Sequence, residues 1–380
     1  MKIKDKVVSW YVKNILIPKL EEIDNPGYVI AKFTELKFDI NLRELFLPEN
    51  LFIIFEKKII DDHGTEGKNI LYKIGKSFSY IDASVSHFPT IKTLGRKEFL
   101  EFAYNFSKYV EGTLAEELSQ EIEYDNKILK IKMKGYVICS KNGLGQLLSM
   151  GGQSGIWAWV VQDSTVEAVK LQCQGRGDKE CKVIVAPYDT LVKMGYKPIK
   201  CTDLETIELG KEYEDFNKIR PTVWARNSLR SLIDSGFFNY AHGQVTYKDE
   251  RFFLVEASFM YILERELKKI EDGLKVLWDV SFDFGKMLAE ISGKQDPCKF
   301  IMDFFPALGF GDILAVTKKG QYEIIVNYFP WLEWYKDIDF VMFRGMLSGV
   351  ISGFIGKTVE LNKIDKDLSG GYLSLHITEG

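Results

Sequence analysis

The stretch Leu171–Pro187, LQCQGRGDKECKVIVAP, decides how the rest of the chain is read. Cys173 and Cys181 bracket a tight polar turn, and the apolar run Val183–Val185 leads out of it as a strand. With Val166–Leu171 before the turn, the pattern predicts a β-hairpin. Upstream, Gly151-Gly152-Gln153-Ser154-Gly155 leads into a helix over Gly152–Val161, which its missing Cβ atoms allow to pack closely on a neighbour. Further out, Ile128–Ile138 alternates like a strand. Lys97–Glu121 reads as a helix with Phe99, Phe102, Phe106 and Tyr109 on one face. Ile70–Phe78 continues at helical period, Gly64–Gly67 reads as a loop and Leu51–Glu56 as a strand. Asp39–Leu47 reads as a short helix closed by Pro48, and Tyr28–Phe33 as a strand. Residues 1–23 form an amphipathic helix that Pro18 should kink.

The same order returns in the second half. Arg251–Glu256 echoes Leu51–Glu56, Val276–Trp278 echoes Ile70–Tyr72, and Lys299–Gly309 echoes the aromatic helix. Gly345-Met346-Leu347-Ser348-Gly349 matches Gly151–Gly155, and Thr358-Val359-Glu360 matches Thr165-Val166-Glu167. Tyr372–Ile377 matches the final strand. Ordered repetition of this kind is the signature of a duplicated unit. The expectation is an α/β (α+β) fold of two related domains, each an antiparallel sheet packed against helices. The divisions are an N-terminal helical extension, 1–29; a first copy, 30–187; a connecting segment with a charged run from Glu205 to Lys218, 188–222; and a second, degenerate copy, 223–380.

Composition removes several function classes. Lys+Arg 50 against Asp+Glu 54 gives a net charge of −4, which argues against broad nucleic-acid binding. No signal peptide or membrane-length apolar segment is visible. Five cysteines at irregular spacing do not form a disulfide framework, so a reducing, cytoplasmic setting is expected. Gly356-Lys357-Thr358 lacks the upstream glycine of a phosphate-binding loop, where Ile351 stands. His63, His87, His242 and His376 are scattered, and no nucleophile–base set can be read. Glu56 and Glu256, read as ending equivalent strands, suit pairing with a helix N-terminus better than acid–base chemistry.

Ile70-Leu71-Tyr72-Lys73-Ile74-Gly75, Gly151 with Gly155, and Cys173-Gln174-Gly175-Arg176-Gly177-Asp178-Lys179-Glu180-Cys181 together resemble the 4-vinyl reductase domain. The resemblance covers residues 30–187 well and 223–378 as a copy without the cysteine pair. It implies an antiparallel sheet packed on helices around a small-molecule pocket. Relatives include aromatic-sensing domains of transcription activators, auxiliary proteins of bacteriochlorophyll synthesis and vesicle-tethering subunits, so the fold alone does not choose a function. In the aromatic-sensing relatives a Cys pair is joined by a Glu three residues before the first Cys and by an earlier Cys. Here the −3 position is Lys170, and Glu167 or Cys139 are the available substitutes around Cys173 and Cys181 for zinc, which is expected in the first domain only.

The ligand-lining candidates are Phe99, Phe102, Phe106, Trp157 and Trp159 in the first copy, and Phe304, Gly349 and Gly353 in the second. By default the aromatics are core and the glycines serve helix packing. The run Phe329–Tyr335 is too apolar for a typical loop and reads as a pocket cover or an interface. The leading expectation is a non-catalytic sensor or carrier of a small apolar or aromatic ligand. The alternatives are an accessory factor or enzyme of tetrapyrrole metabolism, and a scaffold subunit. A protein partner or homodimer is expected; direct nucleic-acid contact and a membrane span are not.

Overall fold

The computed structural model describes residues 3–32, 41–142, 147–204, 218–241, 244–293, 295–318, 320–330, 338–367 and 372–376. The chain opens with α1 (Ile3–Tyr11), a π-helical turn (Val12–Leu16), α2 (Ile17–Leu20) and β1 (Glu21–Glu22). Pro18 follows directly on the π-helical turn, and the backbone stays helical through Leu16 and Ile17 into α2. The first half follows as β2 (Val29–Lys32), β3 (Asn41–Pro48), α3 (Glu49–Val85), α4 (Arg96–Thr113), β4 (Glu117–Glu123), β5 (Ile128–Lys134), α5 (Cys139–Asn142), α6 (Leu147–Val161), β6 (Val166–Gln172), β7 (Cys181–Pro187) and α7 (Tyr188–Lys193). The second half has α8 (Leu229–Asp234), β8 (Asn239–Ala241), β9 (Gln244–Tyr247), β10 (Glu250–Glu256), α9 (Ser258–Leu267), α10 (Gly273–Ser292), α11 (Pro297–Ala307), β11 (Asp312–Lys318), β12 (Gln321–Asn327), α12 (Val341–Ile355), β13 (Lys363–Asp367) and β14 (Tyr372–His376).

Three antiparallel sheets organise these elements, giving the mixed helix-and-sheet fold expected. Each half carries its own four-stranded sheet, β4-β5-β7-β6 in the first and β11-β12-β14-β13 in the second. The third is shared, with order β1-β2-β3-β10-β9-β8. Its central pair joins the halves: β3 and β10 run antiparallel with Phe46 opposite Leu254 and Glu44 opposite Glu256. Each of these strands leads directly into a helical region, β3 into α3 and β10 into α9. Arg43 bolts the seam. Its buried guanidinium donates to the carbonyls of Gly27, Gly309 and Tyr328 and lies 4.2 Å from the centre of the Tyr28 ring.

The hairpin Val166–Gln172/Cys181–Pro187, the helix at Gly152–Val161, the strand at Arg251–Glu256 and the final strand at 372–376 fall where the sequence places them. Two neighbouring expectations do not. Asp39–Leu47 is not a helix: residues 41–48 form β3, and 39–40 lie outside the described residues. Leu51–Glu56 is not a strand but the first turns of α3. A short, almost uninterrupted apolar run cannot distinguish a buried strand from a buried helix. Its β-preferring residues here serve a helix buried on several sides, with Leu51, Phe52 and Phe55 all inaccessible. The strand that faces β10 is therefore Asn41–Pro48. The expected loop at Gly64–Gly67 is an interruption at Gly64 alone (φ 56°, ψ −119°) within α3. The helix at Lys97 ends at Thr113, and Glu117–Glu121 belong to β4. Most of the charged run at 205–217 and the aromatic run at 331–337 lie outside the described residues.

The glycine-rich helices cross the preceding helices at backbone contact. A Cβ on Gly155 would fall 2.1 Å from the Lys76 carbonyl oxygen, and one on Gly75 would fall 1.9 Å from that of Leu148. In the second half a Cβ on Gly349 would meet the Phe282 oxygen at 2.0 Å. Glu56 accepts from the Leu148 amide at the start of α6, and Glu264 accepts from the Val341 amide at the start of α12. Glu256 serves its own following helix, accepting from the Ser258 amide. These carboxylates satisfy amides that a helix N-terminus leaves without a partner.

Candidate functional site

The first half is hollow. A cavity of about 320 Å³ lies between α3, α4, α6, the inner face of β4-β5 and the β3/β10 seam. Helical spacing on α4 directs Phe99, Phe102 and Phe106 into it, and α6 contributes Ser149, Gln153 and Trp157. Rings line much of the wall: Phe88 packs edge-on to Phe102 (5.0 Å) and Phe106 (4.7 Å). Trp157 is fixed by its indole N–H, which donates to the Lys127 carbonyl at 2.8 Å. Phe253 and Phe259 of the second half close the seam side.

The polar side chains of this wall are neutral or acidic. Glu44, Asp82 and Glu256 line the cavity, and no Lys, Arg or His is found among its described lining residues. Burial and the neighbouring carboxyls of Glu21, Asp82 and Glu256 push Glu44 well above the usual carboxylate range. Burial pushes Asp82 up to about 7 and Glu21 to about 8. The Gln153 side chain donates to Met133 Sδ and Ser149 Oγ, both at 3.5 Å, while its carboxamide oxygen has no hydrogen-bond partner.

The remaining sequence candidates sit elsewhere. Trp159 donates from its ring N–H to the Phe88 carbonyl (2.8 Å) and meets Tyr80 edge-on. Phe304 lies at the centre of a buried ring cluster with Phe300, Phe305, Phe238 and Tyr247 at 4.9–5.4 Å. Gly349 packs against the α10 backbone, and a Cβ on Gly353 would fall 2.6 Å from Ala289 Cβ. Glu44, Asp82 and Gln153 are not among the residues that sequence reasoning singles out. For Glu44 the alternation of β3 is the available signal, hidden by reading that stretch as a helix.

A second site adjoins the hairpin turn. The buried thiols of Cys139, Cys173 and Cys181 gather within 4.8 Å of one another and could hold a metal ion. Cys139 Sγ lies 3.5 Å from Cys173 Sγ and 3.1 Å from Cys181 Sγ. Sulfurs sharing a tetrahedral zinc stand about 3.8 Å apart, so a small outward movement would accommodate the ion. The Lys170 amine donates to Cys139 at 3.0 Å. It would serve as a fourth ligand only after losing its proton; while charged it compensates a thiolate instead. A hydrogen bond with Cys139 pulls the Cys181 thiol down and pushes that of Cys139 up. Glu167 does not join this cluster. Its carboxylate is held by Lys76 (2.9 Å), the Tyr72 hydroxyl (2.8 Å) and the Cys201 amide (2.7 Å) in a buried network that ties the connecting segment to the first half.

No family model matches the chain, and no curated protein matches it by sequence. Among solved structures, it is similar to the phenol-responsive sensory domain of the transcription activator PoxR, crystallised with phenol. The identity is 12% and the TM-score 0.36, over 52% of this chain and 100% of that one. No helix of the described residues is long and apolar enough to cross a membrane.

Proposed function

We propose that this chain binds a small, largely apolar organic molecule in the first-half cavity and acts as a non-catalytic sensor or carrier. The observation that carries this reading is a ring-lined space of about 320 Å³ between the helices and the sheet. That volume is at the lower end of ligand cavities, and such cavities combine an apolar wall with a few placed polar groups. It suits a molecule of one or two rings better than a tetrapyrrole macrocycle. On this reading Phe99, Phe102, Phe106 and Trp157 line the binding site, while Phe304, Gly349 and Gly353 serve packing. The chain would be a duplicated unit resembling the 4-vinyl reductase domain, with the second copy kept for its seam. The thiol cluster would hold zinc as a structural ion of the first half, through Cys139, Cys173 and Cys181.

Titration of the protein with one-ring aromatic compounds, followed by tryptophan fluorescence with Trp157→Phe as control, tests the binding reading. A saturable change that is lost in the control is expected. No response to any such compound, with native mass spectrometry showing no retained molecule, would overturn it. The same spectra, taken with metal analysis, report zinc at one ion per chain if the thiol cluster is loaded.

A further inference from the structure

The chemistry of the cavity narrows the ligand class. Glu44 and Glu256 are direct partners across the β3/β10 seam, one from each half of the chain. Two carboxyls so placed cannot both ionise without repulsion unless a positive charge joins them. Both face the cavity, as does Asp82 from α3, and Glu21 of β1 is near enough to act on Glu44. Glu44 is 6% exposed, and its Oε2 atom has no hydrogen-bond partner. A buried acceptor left open is destabilising, the more so when the group is charged. A second unpartnered polar atom on this wall, the Gln153 carboxamide oxygen, is also an acceptor. The wall therefore leaves acceptors open to a donor from a ligand, and has no basic side chain among its described lining residues.

We propose that the cavity receives an organic ammonium ion, a primary or secondary amine on an aromatic or short alkyl body, with its charged nitrogen at Glu44 beside Asp82 and Glu256. This rests on the cavity being the binding site. An ammonium group satisfies several acceptors at once and supplies the opposite charge that lets Glu44 ionise beside Glu256, whereas a neutral hydroxyl donates only one hydrogen bond. A bare metal ion fits less well. Among the described residues, the thiol cluster is the group gathered closely enough to share an ion, and these carboxyls are not. The apolar body would lie against Phe102, Phe106 and Trp157.

Calorimetric titration of the full chain with 2-phenylethylamine and with its neutral counterpart 2-phenylethanol tests the assignment at pH 7. The amine should bind at least ten-fold more tightly than the alcohol. Glu44→Gln should remove most of that preference while changing the affinity for the alcohol less than three-fold. Asp82→Asn provides a second variant should Glu44→Gln fail to fold. Equal affinities, a preference for the alcohol, or a preference that survives both substitutions would overturn the ammonium assignment and leave the cavity reading standing. Failure of both compounds to bind at millimolar concentration would count against both.

Discussion

Each half sets a glycine-rich helix against a longer one beside its own four-stranded antiparallel sheet, yet one half encloses a cavity and the other packs rings between helix and sheet. Two positions account for much of the difference. Two residues before β4 stands Ala115; two residues before β11 stands Phe310. The third residue of α6 is Ser149, and the third of α12 is Phe343. Phe310 and Phe343 stack at 5.1 Å with their planes 9° apart, and Phe305 meets both edge-on. In the first half Ser149 lines the open space that the α4 rings border. The lesson is that a shared backbone does not fix whether a layer is core or pocket. Side-chain volume at a few inward positions does, because well-packed interiors leave few voids larger than a water molecule.

The largest effect should separate packed rings from lining rings. Phe304→Ala removes the centre of the second-half cluster and should cost about 3–5 kcal/mol, the range for truncating a buried aromatic. Phe102→Ala removes a half-buried ring beside space that already exists, and should cost about 1 kcal/mol. Urea denaturation of the two variants measures both. Equal losses would erase the distinction between a filled and a hollow half.

The glycine crossings are what the halves should share. Gly155→Ala and Gly349→Ala each place a Cβ about 2 Å from a carbonyl oxygen, so the helices must separate. Overpacking of this kind should cost about 3 kcal/mol in either half. A crossing that tolerates alanine, read from the same denaturation curves, would show that the two helix pairs are not held by the same contact.

How much of this was legible in the sequence follows from which signals are local. The hairpin around Cys173 and Cys181 and the glycine-rich helices were legible because turn residues and absent Cβ atoms act on their own backbone. The face of Phe99, Phe102 and Phe106 was legible because helical period needs only spacing. The β3 strand was not: its inward residues Leu42, Glu44 and Phe46 do alternate, but Leu45 and Leu47 on the other face are also buried, since the shared sheet is covered on both sides there. The same ambiguity hid Glu44, whose chemical meaning depends on a partner more than 200 residues away. Cys139 was a named alternative, but nothing in its spacing showed that it would reach the hairpin thiols. The filling of the second half was also out of reach, because ring stacking between Phe310 and Phe343 is a tertiary fact.

A pH series should place the titrating burden on the hollow half. The folded-state values of Asp82 and Glu21, about 7 and about 8, lie above those of the unfolded chain. The folded protein therefore holds protons that the unfolded chain releases, and stability falls as pH rises from about 4 to about 8. A tenfold difference in acid strength between the folded and unfolded chain corresponds to about 1.4 kcal/mol, and solvent relaxation reduces that, so Glu21 should contribute about 2 kcal/mol. Glu21→Gln should flatten the decline in the urea midpoint between pH 5 and pH 8. An unchanged slope would mean that this acid is not held protonated by its surroundings.

The smallest change in stability should carry the sharpest change in binding. Ser149→Phe gives the first half the ring that the second half carries at Phe343, and the cavity beside it has room for much of the added volume. Burying that ring gains about 2 kcal/mol of transfer free energy, and local crowding against Gln153 and Tyr136 offsets a similar amount. The urea midpoint should therefore move by less than about 1 kcal/mol equivalent in either direction. Binding of a one-ring compound should fall at least ten-fold, because the new ring takes the space the compound would occupy. A variant that unfolds would show that the first half cannot be packed as the second is. One that stays folded and keeps its affinity would show that the compound binds outside this cavity, and that the hollow of the first half has another cause.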